Sequence, residues 1–120
     1  MFFFKKKPNL FNHSLLSSVP TPADQALIFI CEKCGKKLNA DPKLNPALLL
    51  QQSLKKEIKE KNLKGHVRAV ASSCLDICPE NKIAIGISYG EKAGDAFYTA
   101  NPSNPIMLKD EILRLSQNKE

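Results

Sequence analysis

The segment Ala26-Leu27-Ile28-Phe29-Ile30-Cys31 decides how the rest of the chain is interpreted. It is a continuous apolar run, which is typical of a strand buried on both faces of a sheet. It is also the longest apolar run of the sequence, yet it is too short to cross a bilayer. The sequence therefore predicts a central strand here and no transmembrane segment.

An amphipathic helix is predicted after this strand, beyond a polar loop. Asn45 and Pro46 supply an N-cap and a proline for the first turn. From Ala47 to about Leu63 the apolar residues recur at helical spacing on one face, as Leu50, Leu54 and Ile58. Gly65 is a plausible terminator of this helix.

The second half of the chain predicts two or three strands and a helix. His66 to Ser73 and Lys82 to Tyr89 alternate as strands do, and Ala96 to Ala100 is a candidate return strand of a hairpin. Asn104 and Pro105 repeat the capping signal before a last helix, whose inward residues should be Leu108, Ile112 and Leu115. The order is strand, helix, strand, hairpin, helix, which indicates a small α/β protein with a mixed sheet.

The size and composition predict one domain with a leader. The chain has 120 residues and ordinary soluble usage, with 42% hydrophobic and 25% charged residues. Residues 1–24, rich in Ser and Pro at their end, are expected to be a flexible N-terminal leader, and residues 25–120 the folded domain. The leader opens apolar and then basic, the reverse of a secretory signal, which favours a cytoplasmic location.

The charge balance favours an acidic protein partner over nucleic acid. The formal net charge is +6, but Arg68 and Arg114 are the only arginines, and phosphate or base recognition usually relies on arginine forks. No nucleic-acid partner is therefore expected. The sequence also has no phosphate-binding loop, nucleophile elbow or paired-carboxylate motif, so an enzyme is not predicted.

Two cysteine pairs carry most of the chemical information. Cys31 ends the first strand and Cys34 follows it, while Cys74 and Cys78 follow the second strand. A strand-helix-strand unit almost always forms a right-handed crossover with parallel strands, whose carboxyl ends lie at one edge of the sheet. We therefore expect the four thiols to meet in space.

The spacing alone leaves three kinds of site open. Four thiolates can hold one zinc ion or one iron-sulfur cluster, although zinc ribbons usually have two C-x₂-C knuckles about 15 to 20 residues apart. A C-x₂-C pair at Cys31 and Cys34 can instead be a redox dithiol. That chemistry depends on a helix start beside the first cysteine, and the polar loop with Gly35 and Pro42 is expected to separate the pair from the helix.

The residues around the cysteines resemble those of the thioredoxin-like [2Fe-2S] ferredoxins. The resemblance runs from Leu27 to about Ser116 and is most specific in Ser73-Cys74-Leu75-Asp76-Ile77-Cys78 with the aliphatic strand after it. The first pair departs from the family's usual wider spacing, and it is similar to the C-x₂-C form of short metal-binding relatives.

The resemblance implies a thioredoxin-like fold and a cofactor. Cys31 and Cys34 would ligate one iron of a [2Fe-2S] cluster, and Cys74 and Cys78 the other, in a carrier of single electrons. It also implies a possible homodimer. The lysines near the first pair, Lys33, Lys36 and Lys37, suggest a redox partner with an acidic docking face. The alternatives are a zinc-stabilised binding module and, with less support, a dithiol reductase.

Overall fold

A computed structural model describes residues 15–90 and 94–117, and the first part of the expected leader lies outside these residues. The described chain forms four strands and three helices. In chain order they are β1 (Ala26–Cys31), α1 (Glu32–Leu38), α2 (Pro46–Glu60), β2 (Val67–Ser72), β3 (Ile83–Tyr89), β4 (Asp95–Ala100) and α3 (Pro105–Gln117).

The strands form one mixed sheet in the order β2-β1-β3-β4. β1 and β2 are parallel, while β3 is antiparallel to both of its neighbours, β1 and β4. The predicted parallel pairing of the two strands is confirmed, because Ala26 lies opposite Val67 and Cys31 opposite Ser72. The carboxyl ends of β1 and β2 consequently lie side by side.

The core lies between one face of the sheet and the helices α2 and α3. The predicted inward residues Leu50, Leu54 and Ile58 are all buried. They pack in one cluster with Ile28 and Ile30 of β1. The expectation that β1 is buried on both faces is wrong for the second face, where Leu27 and Phe29 are only half-buried. The described helices cover a single face, so the side chains on the other face keep partial contact with solvent.

Both ends of α2 show why it begins and stops where it does. The Asn45 side chain accepts hydrogen bonds from the N–H groups of Ala47 and Leu48 at 2.8 and 3.3 Å, which confirms the predicted cap. The helix ends before the predicted position, because Asn62 adopts a left-handed conformation at φ 57°. The Leu63 N–H then donates back to the Ile58 carbonyl at 2.9 Å, in a Schellman arrangement. Gly65 is therefore not the terminator.

The last helix packs on α2 and on the sheet. Ile112 is buried as predicted, while Leu108 and Leu115 are partly buried against the core. Lys109 of α3 donates to Glu57 of α2 at 3.2 Å, which joins the two helices at their rim.

The segment before β1 reaches the sheet in its final residues. Leu15 and Leu16 are exposed, but Ala23 is fully buried and the Asp24 N–H donates to the Gly65 carbonyl at 3.1 Å. The Asp24 carboxylate also pairs with His66 at 2.9 Å. Among the described helices, none combines the length and apolar character that a membrane crossing requires.

Candidate functional site

The four cysteines lie at the edge of the sheet where β1 and β2 end. Cys31 is the last residue of β1, and Cys74 follows the end of β2 by two residues. All four thiols are free. The Lys33 N–H donates to the Ser73 carbonyl at 3.3 Å, so the segments that carry the two pairs are in direct contact. The convergence of these segments follows from the parallel register.

The segment after Cys31 is a helix, and the predicted loop there is wrong. Helix α1 begins at Glu32, immediately after Cys31, and ends at Leu38. Glu32 lies in its first turn and Lys36 and Lys37 lie in its last turn, which suits the helix dipole. The argument that a long loop separates the first pair from a helix start therefore no longer applies.

Helix α1 is held by close packing on the start of α2. A Cβ at Gly35 would collide with the side chain of Asn45 and would lie 2.7 Å from the Cβ of Ala47. Asn45 is itself buried, and its amide donates to the Glu32 carbonyl at 3.2 Å. One asparagine thus caps α2 and fixes the first turn of α1, which positions Cys31 and Cys34.

The pKa of the Cys31 thiol lies below its ordinary value. Burial by itself would raise this pKa, since a thiolate loses hydration in the core. Backbone N–H groups of Cys34, Leu75 and Lys33, together with the Cys34 thiol, stabilise the thiolate and outweigh burial. Leu75 belongs to the loop of the second pair, so a group from each loop acts on this sulfur.

The pKa of the Cys34 thiol is shifted in the opposite direction, above its ordinary value. Burial is the main cause. The backbone N–H of Ala84 lowers this pKa, but the neighbouring Cys31 and the negative charge of a Cys78 thiolate raise it further. The effect of Cys78 places it within electrostatic reach of Cys34. The two thiols of the first pair therefore have pKa values that are shifted in opposite directions.

The second pair lies on an exposed loop with an unusual backbone. Cys74 and Cys78 are both exposed, and the Asp76 N–H donates to the Cys74 sulfur at 3.3 Å. Asp76 has φ 60° and Cys78 has φ 51°, in the left-handed region. Aspartate tolerates this conformation, whereas for cysteine it is uncommon. Strained residues of this kind tend to occur at functional sites.

Charged residues of both signs surround the site. Lys33, Lys36 and Lys37 are exposed on α1, while Asp76 and Glu80 are exposed on the loop of the second pair. His66 lies at the start of β2, at the opposite end of the strand from the thiols. The helix that carries Cys34 therefore also presents three lysines to solvent.

The four thiols are suitable donors for a metal, but their side chains are not grouped closely enough to hold one. Four thiols at one edge match the donor set of zinc or an iron-sulfur cluster, and N–H groups already face the Cys31 sulfur. Within residues 15–90 and 94–117, however, no three His, Cys, Asp or Glu side chains are grouped closely enough to hold a metal ion. Binding would have to draw the exposed thiols of Cys74 and Cys78 toward the buried pair.

The positioning residues of the site were not found from the sequence. Gly35 was treated as a loop residue and Asn45 only as a helix cap. The available signals were the acidic-to-basic order of Glu32, Lys36 and Lys37, which suits a short helix. The N–H donors of Leu75 and Ala84 have no sequence signal, since every residue except proline carries one.

Comparisons of the chain with protein-family models, with curated proteins and with solved structures found no match. The arguments for function therefore come from the thiols and their surroundings.

Proposed function

We propose that this protein is a small electron carrier of thioredoxin-like architecture that holds a [2Fe-2S] cluster on Cys31, Cys34, Cys74 and Cys78. One observation carries the proposal: four free thiols follow two adjacent parallel strands, and the Leu75 N–H of the second loop acts on the Cys31 sulfur of the first. A parallel strand-helix-strand unit followed by an antiparallel hairpin and a helix supports the thioredoxin-like part.

The cysteines would ligate the two irons, and nearby backbone N–H groups would stabilise the thiolates. Bound at this edge, the cluster would supply reversible one-electron chemistry. Cys31 and Cys34 would hold one iron from the core, and Cys74 and Cys78 the other from the surface loop. The Leu75, Lys33 and Cys34 N–H groups favour the thiolate form that ligation requires, and they would stabilise added negative charge.

The exposed lysines of α1 would guide a partner to this edge. Lys33, Lys36 and Lys37 lie on the helix that carries the first pair, and they suit an acidic docking face on a redox protein. Since the second pair is exposed, electrons would enter or leave on its side. The acidic docking face is the one that the sequence predicts, and the exposure of these three lysines supports it.

The first experiment is an absorption spectrum of anaerobically purified protein, with iron, zinc and sulfide assayed on the same sample. The proposal expects a red-brown protein with iron and sulfide in equal amounts, bleached by dithionite. A colourless protein with one zinc per chain would overturn it in favour of a zinc-stabilised module. In that case chelation should unfold the domain.

A matched pair of variants tests the ligands. Cys74→Ala should remove the visible absorption and most of the iron, because it deletes one of four ligands. Ser73→Ala changes the exposed neighbour of Cys74 and should keep both. Equal iron contents in the two variants would show that Cys74 is not a ligand.

Dithiol chemistry is a second candidate, favoured by the lowered pKa of Cys31 and by the start of α1 directly after it. In this case Cys31 and Cys34 would form a disulfide and release two electrons and two protons to an oxidised substrate. Their burial disfavours attack on a large substrate. Disulfide reduction that persists in Cys74→Ala and disappears in Cys31→Ala would establish this candidate and overturn the first.

A further inference from the structure

A basic groove runs along β2, and none of the four cysteines lines it. It has a volume of about 660 Å³ and lies between β2 and α2. Val70 and Ala71 supply accessible apolar surface from β2, while Val67, Ala69 and Ile58 are buried beneath it as its floor. We define the basic groove by its five cations, Lys55, Lys56, Lys59, Lys64 and Arg68.

Among the described residues, the charges of the basic groove have no ion-pair partner, and no aspartate or glutamate lines it. In the described part of the chain, the ion pairs involve Lys61, His66, Lys109 and Arg114, and none of the five groove cations. Cations without acidic neighbours on low-dielectric walls produce a positive potential that attracts an anionic partner.

The strand in this groove is an edge strand with free main-chain groups. β2 pairs only with β1 in the described sheet, and the Ala26 N–H donates to the His66 carbonyl. Since backbone groups alternate in direction, those of Val67, Ala69 and Ala71 point away from β1. The Val67 N–H is taken by Leu63, and the Ala69 carbonyl by the Gln51 amide at 3.2 Å. The N–H groups of Ala69 and Ala71 are left for a further strand.

The charge and shape of the groove select its occupant. A second copy of this chain, paired edge to edge, would bring the same five cations into contact, which is unfavourable. Nucleic acid would be expected to use aromatic stacking and arginine forks, but the groove has one arginine and no aromatic residue. An extended acidic peptide matches the main-chain donors, the apolar floor and the cations at once.

We propose that the basic groove binds an extended acidic segment of a partner protein, which adds to β2 as a fifth strand. Its side chains alternate between the two faces of the sheet, so its acidic side chains face Lys55 and Lys59 on the side of α2 and its apolar side chains pack on Val70 on the other side. The groove ends at Ala71, three residues before Cys74, so a partner held there also lies near the thiols. The strand addition itself does not depend on what the cysteines bind.

The test uses the full chain and a short peptide of alternating Val and Glu residues. Binding is followed in ¹H–¹⁵N NMR spectra at low and at physiological salt. We expect the largest shifts at the amides of Ala69 and Ala71, with slower hydrogen exchange at both. Added salt should weaken binding. Two further probes are the same peptide N-methylated at alternate residues, which cannot form the ladder, and a single-stranded oligonucleotide.

Charge-reversed variants provide the matched comparison. Lys55→Glu with Lys59→Glu should weaken peptide binding by about tenfold or more. Lys43→Glu with Lys82→Glu makes the same change in net charge at exposed positions outside the groove and should leave binding unchanged. Both variants are checked for a native NMR spectrum before use.

Several results would overturn the proposal. Equal loss of binding in the two variants would show a non-specific charge effect, and equal binding of the methylated peptide would exclude strand addition. Tighter binding of the oligonucleotide at the same amides would assign the groove to nucleic acid. The absence of peptide-induced shifts at both Ala69 and Ala71 would also refute the proposal. A purified protein whose cysteines hold no iron-sulfur cluster would refute only the proposed function.

Discussion

The two cysteine pairs are held by the fold in opposite ways. Cys31 and Cys34 are only 2% and 4% exposed. Cys31 ends β1, and Cys34 lies in α1, which packs closely on the start of α2. Cys74 and Cys78 are exposed on a loop with left-handed residues. The first pair belongs to the hydrophobic core, and the second to the surface. The fold therefore fixes one pair of thiols in the core and leaves the other pair accessible on a surface loop.

The largest expected difference between the pairs is in their reactivity. In metal-free reduced protein, Cys74 and Cys78 should react with iodoacetamide at least about 100-fold faster than Cys31 and Cys34, because buried thiols react only after local opening. The lowered pKa of Cys31 works against this difference. Mass spectrometry of timed samples measures the four rates. Labelling in urea, where the rates should converge, is the control, and equally fast labelling of Cys31 in native protein would contradict the comparison.

Gly35→Ala tests whether α1 holds the first pair through close packing. We expect a loss of about 2 kcal/mol in the free energy of unfolding, because the new Cβ must displace Asn45 and Ala47. Gly65→Ala is the control. Its φ of 87° makes alanine strained, but nothing lies within 4 Å, so the loss should be about 1 kcal/mol. Urea denaturation measures the free energy of unfolding of both variants. A loss for Gly35→Ala that is smaller than the loss for Gly65→Ala would show that Gly35 does not pack closely on Asn45 and Ala47.

Cys78→Gly tests the strain in the second loop. In metal-free protein it should leave the free energy of unfolding unchanged or raise it by up to about 1 kcal/mol, because glycine adopts a positive φ without a Cβ penalty. Cys34→Gly, in a helix and buried, should be destabilising in the same assay. If the two variants lose the same stability, the backbone of the second loop is not strained.

Glu57→Gln gives the smallest effect, in the helix layer away from both pairs. Hydrogen bonds from Lys109 and Lys61 lower the pKa of the Glu57 carboxyl. Because the pKa of this carboxyl is lower in the folded chain than in the unfolded chain, where it is about 4.3, the ionised carboxylate stabilises the fold at pH values above the unfolded-state pKa. This stabilisation disappears as the pH falls through the pKa of the folded state. Wild-type protein should therefore exceed the variant in stability at neutral pH, and the difference should vanish in acid. Denaturation curves at several pH values measure it, with Glu60→Gln, at an exposed position of the same helix, as the control.

Most of the fold could be predicted because its signals are local. The bounds of β1 match the apolar run, and the buried residues of α2 and the caps at Asn45 and Asn104 agree with the sequence pattern. Helix α1 was missed because a seven-residue helix with a central glycine is not stable by itself. It exists through its contacts with Asn45 and Ala47, which lie a loop away in sequence.

The candidate site was predictable in position but not in geometry. That Cys31 and Cys74 lie at one edge follows from the handedness of a strand-helix-strand unit, which any such sequence obeys. The burial of one pair and the exposure of the other could not be derived, since burial depends on which segments cover which. The basic groove could not be derived either, because the sequence does not reveal that Lys55, Lys59 and Arg68 line the same edge of the described sheet.

The sequence by itself determined the strands, the apolar face of α2 and the order of the elements, because periodicity and capping act between residues a few positions apart. Only the tertiary structure decided that the C-x₂-C pair begins a helix and that, within the described residues, the helices cover one sheet face and β2 pairs only with β1. Each of these depends on contacts between distant segments. The pairing of Cys31 with Ser72 and the packing of Gly35 on Ala47 form only when the whole chain is folded.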